Sequence, residues 1–245
     1  MSRLQSLYLP QLPLVRRVVF TGALCILGLG YLFAGIFIFQ SHHGRDGDPM
    51  LSVEDIAIAY AGSKEGTKLE SALRGPMSNM LPANENLEIV AWVRAGASQE
   101  QYDAKIKAIF DNRCIACHNN NNPHLPALED YEGVSHVAQQ DTGFNVHTLV
   151  RVSHIHMFGL SFIFFITTFI FSHAYFRNVW LQSAIIAIPF LSIAVDIGSW
   201  YLTKMVETFA WAVLLSGSVM GTCFGIMVFV SLYQMWFYEL PEDVK

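Results

Sequence analysis

Residues 18–39 read VVFTGALCILGLGYLFAGIFIF, twenty-two positions without one charge. A bilayer core of about 30 Å is crossed by roughly 20 apolar residues in a helix, so this run is long enough to span. Arg16 and Arg17 precede it, as in a signal peptide. The run exceeds a typical signal-peptide core, however, and no A-x-A site follows it. Leu24 before Cys25 is also too large for a lipoprotein site, so an uncleaved anchor is expected. Three further segments have the same character: about 150–175, 180–202 and about 208–237. The first and last of these exceed the minimum, so their ends project into the interface or the helices tilt.

Charge is distributed accordingly. Charged residues make up 14% of the chain and apolar ones 53%, against about 25% charged in ordinary soluble domains. The deficit lies in the four spans, while residues 41–145 have the composition of a soluble domain. The expected organisation is therefore 1–40 (N-terminus and first span), 41–145 (extramembrane domain) and 146–245 (three spans and a short tail). The net charge of −5 and the lack of any basic run exclude nucleic acid as a partner. Four cysteines are too few for a disulfide framework.

Orientation follows from the positive charges. Arg3, Arg16 and Arg17 precede span 1 and Arg177 lies in the 2–3 turn, whereas the 203–206 turn holds only Lys204. The N-terminus and the tail are thus expected in the cytoplasm and residues 41–145 in the periplasm of a bacterial inner-membrane protein. Trp200, Tyr201 and Trp211 then fall in one aromatic belt, and Tyr175, Trp180, Trp236 and Tyr238 in the other. Gly217, Gly221 and Gly225 form a G-x-x-x-G-x-x-x-G stripe suited to close contact, with a helix of this bundle or with another subunit.

The extramembrane domain reads as four short helices. Ser52 with Asp55 and Thr67 with Glu70 have capping-box spacing. Gly75–Pro76 stops the second helix. "ENLEIVAWVRAG" puts Ile89, Trp92 and Val93 on one face, with Gly96 as its stop. The fourth starts at Ser98 and gathers Tyr102, Ile106, Ile109 and Phe110 on one side. No strand alternation is present, so the fold class is all-α. The apolar content of about 100 such residues makes a small core, and another group is expected to complete it.

The fourth helix runs into Cys114-Ile115-Ala116-Cys117-His118, the C-x-x-C-H pattern of haem c attachment. Two thiols on adjacent turns reach the two vinyl groups on one porphyrin edge, and the next residue offers an imidazole to the iron. A thioredoxin-like C-x-x-C needs a βαβ context, which is absent. A zinc site needs two more ligands, for which His124 and His136 are the candidates.

"CIACH", the preceding "AIFDNR" and "EIVAWVRAGAS" together resemble membrane-anchored c-type cytochromes of class I over roughly residues 50–130. The resemblance implies thioethers at Cys114 and Cys117, His118 as proximal ligand to a single covalent haem c, and electron exchange with other redox proteins. The order differs from that family. The methionine loop "RGPMSNMLP" and the helix similar to the terminal one precede the attachment motif, as in a permuted domain. Met77 and Met80 are the distal candidates, with His124, His136 or a membrane histidine as alternatives. Methionine raises a haem potential relative to bis-histidine ligation.

The second span opens "VHTLVRVSHIHMFGL". His147, Arg151, His154 and Phe158 share one helical face, and His156 points nearly opposite. His154, His156 and Asp196 of the third span reach similar depth near the outer interface, where ionisable groups suggest function. Three readings stand side by side. The groups are interfacial, with Arg151 binding haem propionates; or His154, His156 and Asp196 form a quinol-oxidising, proton-accepting site; or a b haem is held by His42 or His43 and His147 or His154. A copper or other metal site is a lesser variant. His173 reads as interfacial, and Cys25 and Cys223 as packing.

These readings lead to a membrane-bound c-type cytochrome in contact with lipid and other redox subunits. The alternatives are a quinol dehydrogenase, which would make the chain an enzyme rather than a carrier, and a haem-based sensor.

Overall fold

The computed structural model describes residues 7–64, 66–123 and 125–244. The chain is all-α, and no strand forms among the described residues. It divides into two compact units: one of residues 1–37, 147–201 and 211–245, the other of 38–146 and 202–210.

The first unit contains most of the four long apolar helices: α1 (Leu14–His42), α8 (Val146–Phe171), α9 (Val179–Met205) and α10 (Ala210–Trp236). Each is long and apolar enough to cross a membrane, so the chain is a multi-pass membrane protein. Hydrogen bonds fix the alternation of the spans. Leu9 N–H donates to His173 O at 2.9 Å, and Arg17 Nη1 donates to Met235 O at 2.9 Å. Gln234 exchanges bonds with Tyr175 N and O at 2.7 and 3.0 Å. The start of α1 and the ends of α8 and α10 therefore meet at one end of the unit. At its middle, Tyr31 of α1 stacks on Phe224 of α10. A Cβ at Gly221 would meet that Tyr31 ring at 3.6 Å, while Gly217 and Gly225 have nothing within 4 Å of a Cβ. Only the central glycine of the stripe makes its close contact inside the bundle.

The second unit contains α2 (Val53–Ala61), α3 (Lys68–Arg74), α4 (Ala83–Arg94), α5 (Gln99–Gln101), α6 (Lys107–Arg113) and α7 (Tyr131–Val137). Both capping boxes form. Ser52 Oγ accepts from Asp55 N, and Thr67 Oγ1 accepts from Glu70 N. Ser98 caps α5. Between α5 and α6 the helix widens into a π-turn over Tyr102–Ile106. It keeps Tyr102 and Ile106 in the core with Ile109 and Phe110, where they meet Leu69, Leu73, Ile89, Trp92, Val93, Leu128, Val134 and Val137.

Residues 202–210, the end of α9 and the turn after it, pack with this second unit. Lys204 Nζ donates to Tyr60 O and Thr142 O at 3.2 and 2.8 Å, and Lys64 pairs with Glu207 at 2.8 Å. The turn expected at 203–206 thus belongs to the second unit. Hydropathy measures only transfer into lipid, and the lysine here is satisfied by backbone carbonyls instead.

Glu70 ties α3 to α4. Its carboxylate accepts from Thr67 N and Arg94 Nε at 2.9 and 3.0 Å, and its side chain is 6% exposed. Burial pushes this carboxyl up. The Thr67 N–H, Arg94 and the Thr67 hydroxyl outweigh it and leave Glu70 below the usual glutamate value. The unfolded chain therefore binds the proton more readily. The resulting stability is complete above about pH 4.3 and is lost as pH falls through the folded value. Glu70→Ala removes a capping box and the buried carboxylate of an ion pair whose arginine is exposed. It is expected to destabilise the unit by about 2 kcal/mol in urea unfolding followed by circular dichroism. Glu70→Gln should flatten the acid limb of the stability profile.

Candidate functional site

Helix α6 delivers the two cysteines and the histidine on one continuous turn. Cys114 N–H donates to Phe110 O at 2.9 Å, Cys117 N–H to Cys114 O at 3.1 Å, and His118 N–H to Cys114 O at 2.9 Å. Both thiols are free. Cys114 is half-buried against the core, and Cys117 is exposed. Burial, with Glu85 nearby, pushes the Cys114 thiol up to about 11, so it is a neutral thiol rather than a thiolate at neutral pH.

His118 is held from behind. Its Nδ1 lies 3.0 Å from Pro126 O. A carbonyl only accepts, so Nδ1 carries the proton and Nε2 keeps its lone pair. The backbone returns the favour: Leu128 N–H donates to His118 O at 3.0 Å. Anchoring one ring nitrogen to a carbonyl fixes the tautomer and direction of a metal-ligating histidine. The asparagine run makes this loop closure possible. Asn119 Nδ2 donates to Ile115 O at 2.8 Å, Asn121 N–H to Asn119 Oδ1 at 3.0 Å, and Asn120 N–H to Glu129 Oε2 at 3.1 Å. Together they turn the chain so that residues 126–128 pass beside His118.

The motif is also braced from upstream. Arg113 donates from Nε and Nη2 to Glu85 at 2.8 and 3.0 Å, joining the end of α6 to the start of α4. Met77 packs against the core on which Cys114 rests, whereas Met80 is 64% exposed. The two methionines, equivalent in sequence, are distinct in the fold. His136 is exposed beside Asn120, Glu129 and Glu132. His124 lies outside the described residues. No group of three or more metal-ligating side chains forms among the described residues. The zinc arrangement of Cys114, Cys117 and His136 is therefore not assembled.

The donor set fits a covalently attached haem. Two thiols lie one turn apart, one imidazole presents an unencumbered Nε2, and a thioether-bearing side chain sits in the same core.

In the membrane unit, Asp196 is 8% exposed and accepts from Ser216 Oγ at 3.1 Å. Trp200 is 5% exposed, and its ring meets that of His156 edge to face at 5.3 Å. His154 turns away, its Nδ1 on Arg151 O at 3.1 Å and its ring against Phe158. The structure thus sets His156 against Trp200 and His154 against Phe158. Arg151 and His147 are exposed on α8. His43 Nδ1 lies 2.7 Å from Phe39 O, and its ring stacks on Phe39. His173 lies at the opposite end of α8, with Nδ1 on Phe169 O at 2.9 Å. Cys223 is buried and Cys25 exposed among apolar helix positions.

Sequence reasoning missed the Pro126 carbonyl, the Glu85–Arg113 brace and the contact of Trp200 with His156. The first had a signal: a proline eight residues after the histidine, beyond a polar run able to turn the chain.

Residues 131–242 match the family model Aq_1264_TM, described as a transmembrane helical domain. The match takes in α7 to α10 and leaves Cys114–His118 outside it. No curated protein matches the chain. No solved structure matches it either.

Proposed function

We propose that the chain is a membrane-anchored c-type cytochrome that carries electrons at the outer face of a bacterial inner membrane. The observation that carries this reading is the His118 ring, held at Nδ1 by Pro126 O at 3.0 Å on the same turn as two free cysteines. That arrangement prepares a nitrogen ligand of fixed direction beside two thiols, which is what covalent attachment of a c haem requires. Haem bound there supplies one-electron chemistry between ferric and ferrous iron. The residues of this chain supply the rest. Cys114 and Cys117 would hold the haem, His118 would ligate its iron, and the Arg113–Glu85 pair holds α6 on α4.

The periplasmic placement rests on Arg16, Arg17 and Arg177 gathering at the end of the membrane unit opposite the attachment of the extramembrane segment in sequence. The electron partners are redox proteins on that side. They are expected to meet a domain whose residues 41–145 carry fifteen acidic and eight basic side chains, a net charge of −7.

Met77, resting on the core that holds Cys114, would be the second iron ligand rather than exposed Met80. Optical spectra of the oxidised protein test this. Met77→Ala is expected to abolish the weak sulfur-to-iron band at the red end and to lower the potential, while Met80→Ala leaves both unchanged. The reverse pattern would reassign the ligand. A band missing from the wild type would remove methionine ligation altogether.

A further inference from the structure

The loop that follows the attachment motif has an outgoing arm, residues 119–122, and a returning arm, residues 125–130. The outgoing arm is fixed to the turn that carries the two cysteines. Asn119 Nδ2 donates to Ile115 O at 2.8 Å, and Asn122 Nδ2 donates to Cys117 O at 3.4 Å. The returning arm is fixed to α7 and the core. Leu128 is buried in the core, and Asp130 Oδ1 accepts from Gly133 N at 2.8 Å. Gly133 also lacks the Cβ that would stand 2.2 Å from Ala127 O. Pro126 O, which holds His118 Nδ1 at 3.0 Å, belongs to this returning arm. The direction of the imidazole is therefore set by how one arm sits against the other.

Glu129 joins the arms. Its Oε2 accepts from Asn120 N at 3.1 Å and from Asn120 Nδ2 as well. One carboxylate thus takes both the backbone and the side-chain N–H of the residue two places past His118. Hydrogen bonds to a charged acceptor are the stronger kind. The neighbouring rung is Leu128 N–H on His118 O at 3.0 Å, and the carboxylate closes the loop two residues further out. Glu129 acts on His118 only through this loop.

We propose that Glu129 is a positioning residue that tunes the potential of the haem iron by keeping Pro126 O on His118 Nδ1. The proposal rests on the electron-carrier reading and deepens it by naming what regulates the site. A carbonyl that accepts from Nδ1–H makes the imidazole a more basic ligand, which favours ferric iron. Opening the loop weakens that bond, so the ferric state loses support and the potential rises.

Two measurements on the full-length protein in lipid nanodiscs test this. The first reads amide hydrogen exchange at Leu128 in the haem-free Cys114→Ala/Cys117→Ala chain. Glu129→Ala should speed exchange about fivefold, the loss of exposed bonds to a charged acceptor. The second reads the midpoint potential of the haem-bearing protein. Glu129→Ala should raise it by about threefold in the redox equilibrium, about 30 mV for one electron. Asn120→Ala, which removes one donor from the other arm, should move both readings the same way by less. Glu129→Gln still accepts from Asn120 N–H, so it should exchange like the parent. Its potential should match that of Glu132→Gln, which removes one charge from the same stretch and leaves the loop alone. Both readings unmoved in Glu129→Ala, or one moved without the other, overturns the proposal. So does a Glu132→Gln shift as large as that of Glu129→Ala, which would make the effect one of charge. Faster exchange at Leu128 in a chain that never takes up haem leaves the hold on His118 standing and removes the cytochrome reading instead.

Discussion

Cys114→Ala/Cys117→Ala is expected to abolish covalent haem: a denaturing gel stained for haem shows no band at the size of the chain, and the reduced spectrum loses its c-type α-band. On the proposed reading no other cysteine could replace these two, because Cys25 and Cys223 lie within membrane helices. The single variants should differ from the double. Each keeps one thioether, so some haem remains bound with a shifted α-band, as expected of a porphyrin that retains one vinyl group. His118→Ala removes the only imidazole that the turn presents and should reduce haem content as severely as the double cysteine variant. Pro126→Ala is the informative control. The bond to His118 Nδ1 is made by the backbone carbonyl at 3.0 Å, which alanine also possesses, so haem content should stay near the parent's. A large loss in Pro126→Ala would mean that the ring of the proline, rather than its carbonyl, holds the loop.

Gly62→Ala is the structural change with the largest expected effect. Gly62 caps α2 at φ 93°, a conformation that L side chains rarely adopt. A Cβ there would stand 2.1 Å from Asp141 O and 2.7 Å from Gly143 N. Gly143, at φ 65°, is the reciprocal position: its Cβ would stand 2.3 Å from Tyr60 O. The obstructing atoms are backbone, so no side chain can swing aside. This crossing is where the chain leaving the extramembrane unit runs back along α2, with Phe144 N–H donating to Ala59 O at 3.0 Å and Asp141 N–H to Gly66 O at 3.1 Å. Backbone strain combined with lost ladder bonds should cost about 4 kcal/mol. The expected readouts are a lowered urea midpoint and increased proteolysis between residues 60 and 145. An unchanged midpoint would show that the two strands of this crossing can separate without loss.

The four spans were legible because lipid imposes one requirement that composition meets or fails. The uncharged run 18–39 and its three counterparts met it; the structure extends the first and third at both ends and ends the second at Phe171, four residues early. The capping residues Ser52, Thr67 and Ser98 were legible for a similar reason, since each acts on a backbone group two or three positions away. Helix α7 was not. "YEGVSHV" carries a glycine and two β-branched valines, poor helix formers, and Gly133 is present because a Cβ would stand 2.2 Å from Ala127 O. The helix is stabilised by Val134 and Val137 entering a core built mostly by residues far away in sequence. The π-turn at Tyr102–Ile106 was hidden as well, because the apolar spacing of Tyr102, Ile106, Ile109 and Phe110 suits an ordinary helix.

The candidate site divides in the same way. C-x-x-C-H announces its chemistry within five residues. What orients the histidine is a carbonyl eight residues downstream, and no residue type marks a carbonyl. Met77 and Met80 lie three positions apart in one loop, and only packing separates them. Depth alone grouped His154, His156 and Asp196. The rotation of α8 then sent His156 to Trp200 and His154 to Phe158.

The central claim is that this chain carries one haem c on Cys114 and Cys117. Intact-mass spectrometry of the protein purified from membranes of a host able to attach haem c tests it most directly, with peptide mapping of the modified segment. The account predicts a mass greater than that of the chain by one haem, resistant to denaturation, with the added mass on the peptide containing residues 114–118. An unmodified mass under those conditions, with both thiols open to alkylation, would contradict it.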